Sequence, residues 1–150
     1  MFKIPSVEIV ENSVREYVGK KRWRKVCLLV LTLLPQGKLA SRCFIYEKLE
    51  EWGLIHFEGN EKVSFLEKTS NAFYDLFEKG LVRKEDLSRL SEKDFEKARL
   101  RIMGAVSACK KCRTQSAYQL SPAGRIEALK LLKSLQIHPT QQVHEQYMAA

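Results

Sequence analysis

Tyr118-Gln119-Leu120-Ser121-Pro122-Ala123-Gly124-Arg125 is the stretch of this chain with the least freedom in what it can form. Tyr118 and Leu120 share one face of an extended segment, because side chains alternate along a strand. Ser121 is a strong helix N-cap, and Pro122 suits a first helical turn, where its missing N–H is not needed. Ile126, Leu129 and Leu132 then recur at helical spacing, with Arg125, Lys130 and Lys133 mostly on the other side. A strand that turns directly into an amphipathic helix is a fixed corner. The rest of the chain has to supply elements that pack on both of its arms.

The apolar segments upstream say what those elements are. Val7, Val10, Val14 and Val18 form one stripe of a helix that begins after Pro5-Ser6 and that Gly19 can end. Val26 to Leu34 is apolar all round except at Thr32, so a helix there is centrally buried, and Pro35-Gln36-Gly37 breaks it. A further helix is expected from Leu39 or Ala40 to Trp52, burying Ile45, Leu49 and Trp52, with Gly53 as its left-handed stop. Leu54 to Phe57 reads as an extended connection and Glu58-Gly59-Asn60-Glu61 as a turn. The next helix is expected from Ser64 or Thr69 to Lys79, with Phe65, Phe73, Leu76 and Phe77 inward and Gly80 at its end. Lys84 to Leu90 predicts a short helix. Ser91-Glu92-Lys93-Asp94 then predicts a capping box opening a helix to about Val106, burying Phe95, Ala98, Ile102 and Ala105.

Charge narrows the partners. The chain carries 26 Lys and Arg against 18 Asp and Glu, a net charge of +8, with a pI near 9.4. Such a field attracts polyanions without regard to their sequence, or it simply serves solubility. Clustering favours the first reading. Lys20-Lys21-Arg22-Trp23-Arg24-Lys25 sets five cations around one tryptophan, and Lys110-Lys111-Cys112-Arg113 lies in a polar loop just before Tyr118. The first cluster is either a phosphate-binding surface, with Trp23 against a sugar, or a solvated helix start anchored by Trp23. The longest apolar run is far short of the ~20 residues that cross a bilayer, and the first residues lack a leader pattern. The expectation is a soluble, cytoplasmic protein.

Four cysteines are present, Cys27, Cys43, Cys109 and Cys112. Cys27 falls in an apolar run and reads as a small buried hydrophobe. Cys109 and Cys112 have the spacing of half a zinc site, with no second close pair; a metal ligand pair, a redox-responsive thiol pair and no function at all stay open.

Three pieces of the chain resemble the PadR-like branch of the winged helix-turn-helix transcriptional regulators. Leu31 to Leu39 followed by Tyr46-Glu47-Lys48-Leu49-Glu50-Glu51-Trp52-Gly53 resembles that family's opening and second helices. Phe73-Tyr74-Asp75-Leu76-Phe77-Glu78-Lys79-Gly80-Leu81-Val82 resembles its recognition-helix segment, and Tyr118 to Arg125 resembles the exit of its wing. The resemblance implies a mainly α fold. It would be a winged helix-turn-helix with a short β-hairpin wing and additional N-terminal, inserted and C-terminal helices. Residues 1–20 would be an N-terminal helix and candidate dimerisation arm. Residues 21–135 would be the DNA-binding domain, with a helical insertion at about 83–106, and residues 136–150 a tail.

The function implied is sequence-specific binding of double-stranded DNA by a homodimeric transcription regulator, with no cofactor. Ser70, Asn71 and Tyr74 would lie near bases. Lys68, together with Lys110, Lys111 and Arg113 in the wing, would meet phosphates or the minor groove, and Lys21, Arg22 and Arg24 would form a second phosphate-facing group. Val7, Val10 and Val14 with Ile126, Leu129 and Leu132 would form the dimer contact. Two other readings compete: a winged-helix module that docks a protein, and a regulator switched by redox state or metal at Cys109 and Cys112. Catalysis finds no motif. His56, His138 and His144 are not near a nucleophile pattern, and the chain has no phosphate-binding glycine loop, H-E-x-x-H pair or G-x-S-x-G turn.

Overall fold

The computed structural model describes residues 5–105 and 116–137, which form six helices and a small four-stranded sheet. Helix α2 (Trp23–Leu31) is the centre. Val26 through Leu31 are all buried, and a helix apolar on every side needs cover on every side. Helices α1 (Val7–Gly19), α4 (Asn60–Glu78) and α6 (Pro122–Ile137) supply it. Val10 and Val14 of α1 are fully buried in this packing, as the valine stripe predicts. Thr32, the polar exception, is buried with its hydroxyl donating to the Leu29 carbonyl.

Several boundaries differ from the sequence reading, each for a visible reason. Helix α1 ends at Gly19, as expected, but the glycine is not the left-handed residue that closes it. The chain runs on to Lys21, which takes the left-handed conformation at φ 54°, while Lys21 N–H donates to Val18 O and Arg22 N–H to Tyr17 O. Helix α3 covers only Arg42–Glu51, because Leu39–Ala40 is drawn into a strand, β1. Its end is as expected: Gly53 is left-handed at φ 70°, and the N–H groups of Gly53 and Leu54 return to Glu50 and Leu49.

Helix α4 begins at Asn60, well before the expected Ser64 or Thr69. Phe65 holds this early part: its ring lies 5.2 Å from Trp23, 5.8 Å from Tyr46 and 5.6 Å from Phe57. The Tyr46 hydroxyl donates to the Phe57 carbonyl at 2.8 Å, fixing the connection that leads into the helix.

Residues 84–90 are not helical. Val82–Asp86 form β2, paired antiparallel with β4 (Ser116–Leu120) from Val82↔Leu120 to Asp86↔Ser116. Ser91 caps α5 (Glu92–Arg99) as expected, accepting from Asp94 N–H, but the helix stops at Arg99 instead of continuing to Val106. Ile102–Met103 instead form β3, parallel to β1, in a sheet ordered β2-β4-β1-β3. Gly104 then turns at φ 94° against the start of α3, where a Cβ would sit 2.6 Å from Phe44 N. Leu87, Phe95 and Ala98 make a second small core, with Leu90 and Ile102 packed on it.

The corner at Ser121 joins these parts. Ser121 Oγ accepts from Gly124 N–H at 3.0 Å and donates to the Gly80 carbonyl at 2.7 Å, and Ser121 N–H donates to Leu81 O. One residue therefore caps α6 and ties it to the end of α4. Gly124 lies directly on the Leu81 carbonyl, with no room for a Cβ. The buried stripe of α6 is accordingly Gly124, Ala128 and Leu132; Ile126, expected on one apolar face with Leu129 and Leu132, is 56% exposed. Among the described residues no helix is long and apolar enough to cross a membrane.

Candidate nucleic-acid interface

The turn from α1 into α2 is tight, and it crowds the cations of residues 20–25 onto one end of α2. Trp23 sits at the first turn with its ring edge-on to Phe65 of α4, so Arg22 and Arg24 on either side of it are exposed. Helix α4 runs past this end of α2. Lys68, Asn71 and Asp75 lie three and four residues apart and so share the face that meets it. Between the two helices is an open cleft of about 330 Å³, lined by Lys21, Arg22, Trp23, Arg24, Lys25, Lys68, Asn71, Ala72 and Asp75. Five cations and one carboxylate face this volume.

Several exposed charges elsewhere are paired. Glu11 pairs with Arg15, Glu16 with Lys20, Glu51 with Lys48, Glu85 with Arg101 and Glu127 with Lys130. Among the described residues Lys21, Arg22, Arg24, Lys68 and Asp75 take part in no salt bridge. Unmatched cations gathered from two elements are what a polyanion surface requires, since each one can release a counterion from a phosphate.

The structure thus brings together Lys21, Arg22, Arg24, Lys68 and Asn71, which are distant in sequence. Tyr74 is 60% exposed on the adjoining face of α4 and is not a core tyrosine. Ser70 is placed differently. It is half-buried in mid-helix, accepting from the Arg42 guanidinium at 3.1 Å, and so faces α3 and not the cleft. Because α4 starts early, neither Ser70 nor Asn71 is in an N-terminal turn. Lys110, Lys111, Arg113, Cys109 and Cys112 lie outside the described residues.

Of the residues expected at a dimer contact, Val10, Val14 and Leu132 are buried within the single chain, and Leu129 is half-buried. Val7, at 52% exposure, and Ile126 remain on the surface. Burial pushes the Cys27 thiol well above the ordinary cysteine range, and burial likewise raises that of Cys43. Both are thereby poor nucleophiles. Among the described residues no three His, Cys, Asp or Glu side chains gather as a metal ion would need.

Sequence reasoning passed over two residues here. Arg42 reads as an ordinary first-turn cation, and only the crossing of α3 and α4 reveals its bond to Ser70. Asp75 was legible, being one turn beyond Asn71, but a carboxylate is not the residue type one looks for at a phosphate surface. Compared with protein-family models, curated proteins and solved structures, the chain finds no match.

Proposed function

We propose that the protein binds double-stranded DNA and acts as a transcription regulator of winged-helix type, with α4 in the major groove. The observation that carries this reading is the cleft: cations of the α1–α2 turn and of α4 converge there, outnumbering the one carboxylate, Asp75, beside the outward residues Asn71 and Tyr74. The order of elements supports it as well. Helices α2, α3 and α4 are followed by the antiparallel pair β2 and β4, with the short β1 added beside β4. In this arrangement α4 is the recognition helix, the α1–α2 turn grips the backbone on one side of it, and the paired strands β2 and β4 belong to the wing. The PadR-like assignment and the homodimer belong to the same proposal, with Val7 and Ile126 as the surface part of the dimer contact.

Fluorescence polarisation with a random-sequence duplex, repeated over a range of salt, tests it. Each lost phosphate contact reduces the slope of log affinity against log salt by about 0.9. Changing Lys21, Arg22 and Arg24 together to alanine is expected to lower the slope by roughly 2 to 3 on that basis. An affinity indifferent to salt, or a triple variant identical to the parent, overturns the reading.

One observation favours a second reading, a protein-docking module. Val63, Tyr74 and Phe77 are exposed along α4, which also carries Glu67 and Glu78. That reading expects no duplex affinity at moderate salt, and a Tyr74→Ala/Phe77→Ala variant that loses a co-purifying protein.

A further inference from the structure

We propose that Asp75 is a specificity residue of this interface, accepting a hydrogen bond from the exocyclic amine of a cytosine next to the base that Asn71 reads. The inference rests on the duplex-binding reading above and deepens it. Asp75 lines the cleft among five cations, is exposed, and among the described residues forms no salt bridge. None of the neighbouring cations comes within salt-bridge distance, so its carboxylate oxygens stay open to an incoming donor. A carboxylate in that place is a cost to phosphate binding, because it repels every phosphate that Lys68, Arg22 and Arg24 attract. Glu67 and Glu78, the other exposed acids of this part of α4, do not line the cleft and carry less of that cost.

The cost is offset when the carboxylate meets a hydrogen-bond donor. On base edges in the major groove the donors are exocyclic amines, and Asp or Glu matches the N4 amine of cytosine as Asn matches the N6 and N7 of adenine. Asn71 and Asp75 are four residues apart on one face, a rise of about 6 Å at ~1.5 Å per residue. Base steps are about 3.4 Å, so the two residues reach positions one or two base pairs apart. The pair therefore predicts an adenine and a cytosine at that separation. The flanking cations of the α1–α2 turn would hold the backbone beside them.

The test is selection of the full-length chain on a pool of randomised duplexes, followed by polarisation with the parent, Asp75→Asn and Asp75→Ala. Because Asp75 is exposed, both variants are expected to keep the parent's melting transition, measured alongside. The parent should enrich a cytosine one or two pairs from an adenine, and replacing that cytosine should weaken binding about 10-fold or more. Asp75→Asn should move the preference at that position from cytosine to adenine. Asp75→Ala should bind random duplex several-fold more tightly while losing the preference, a combination that loss of structure does not produce. The proposal is overturned if Asp75→Asn selects the same sequence as the parent, or if the parent binds duplex with no enrichment at all. A parent without salt-dependent duplex affinity would overturn the DNA-binding reading itself.

Discussion

A methyl group at residue 124 would land on the Leu81 carbonyl oxygen, so Gly124→Ala forces α6 away from the start of β2. Overpacking of this kind costs about 1–3 kcal/mol, and backbone is the obstacle here, so the upper end is expected in chemical denaturation. Ser121→Ala removes both the cap of α6 and the bond to Gly80 and should cost about 1–2 kcal/mol. The cap and first turn were plain in Ser121-Pro122, but the close approach at Gly124 and the bond to Gly80 come only with the fold, which brings the end of α4 against this corner. Lys21 was not legible in the same way. Two residues after a glycine that would have served, a lysine takes the left-handed conformation, which costs a non-glycine residue of order 1 kcal/mol or more. Lys21→Gly should therefore raise the melting temperature while weakening duplex binding, because it relieves the backbone and removes a cation from the cleft. If both stability and affinity rise, Lys21 is not a phosphate contact.

Elements were legible where one periodicity dominated and misread where two neighbours competed. The stripe of α1 and the continuous apolar face of α2 needed no tertiary information. The early start of α4 did, because its first turns, Asn60 to Ser64, are entirely exposed and have no apolar face of their own. What fixes them is the ring of Trp23, Tyr46 and Phe57 around Phe65, contributed by three separate segments. Phe65→Ala should accordingly act on one end of one helix. Core Phe→Ala substitutions cost about 3–5 kcal/mol. Hydrogen exchange is expected to show protection lost first in residues 60–68, and the cleft to loosen with it because Trp23 lines both. Uniform loss of protection through α2 and α6 would show that the ring cluster belongs to the central core and does not specifically hold α4. The strand β2 was missed for a related reason. Arg83-Lys84-Glu85-Asp86 alternates nothing, and its extended form comes from its partner β4.

For the molecule as a whole, the insertion between β2 and β4 stands apart energetically. Leu87, Phe95 and Ala98 bury one another in a cluster distinct from the one around α2, with only Leu90 and Ile102 added. Its ties to the main body are polar and backbone contacts, plus the partly buried Met103, which packs on the main core. Arg101 forks onto both oxygens of Glu85 at 2.9 and 2.8 Å, Lys38 donates to Leu100 O, and β3 pairs with β1. Exposed ion pairs contribute at most about 1 kcal/mol, and a two-residue strand adds little, so the small core decides whether the insertion stays folded. Parts of a protein held by few apolar contacts open below the free energy of global unfolding. Phe95→Ala should therefore abolish exchange protection across residues 92–103 and leave α2, α4 and the corner at Ser121 protected. If the insertion only braces the sheet from outside, duplex affinity in that variant should match the parent, since the cleft lies between α2 and α4. A fall in affinity without global unfolding would instead place the insertion in the interface. Gly104, packed on the first turn of α3 beside Ser41, is then the contact through which the change would reach α4, because Arg42 follows Ser41 and bonds Ser70.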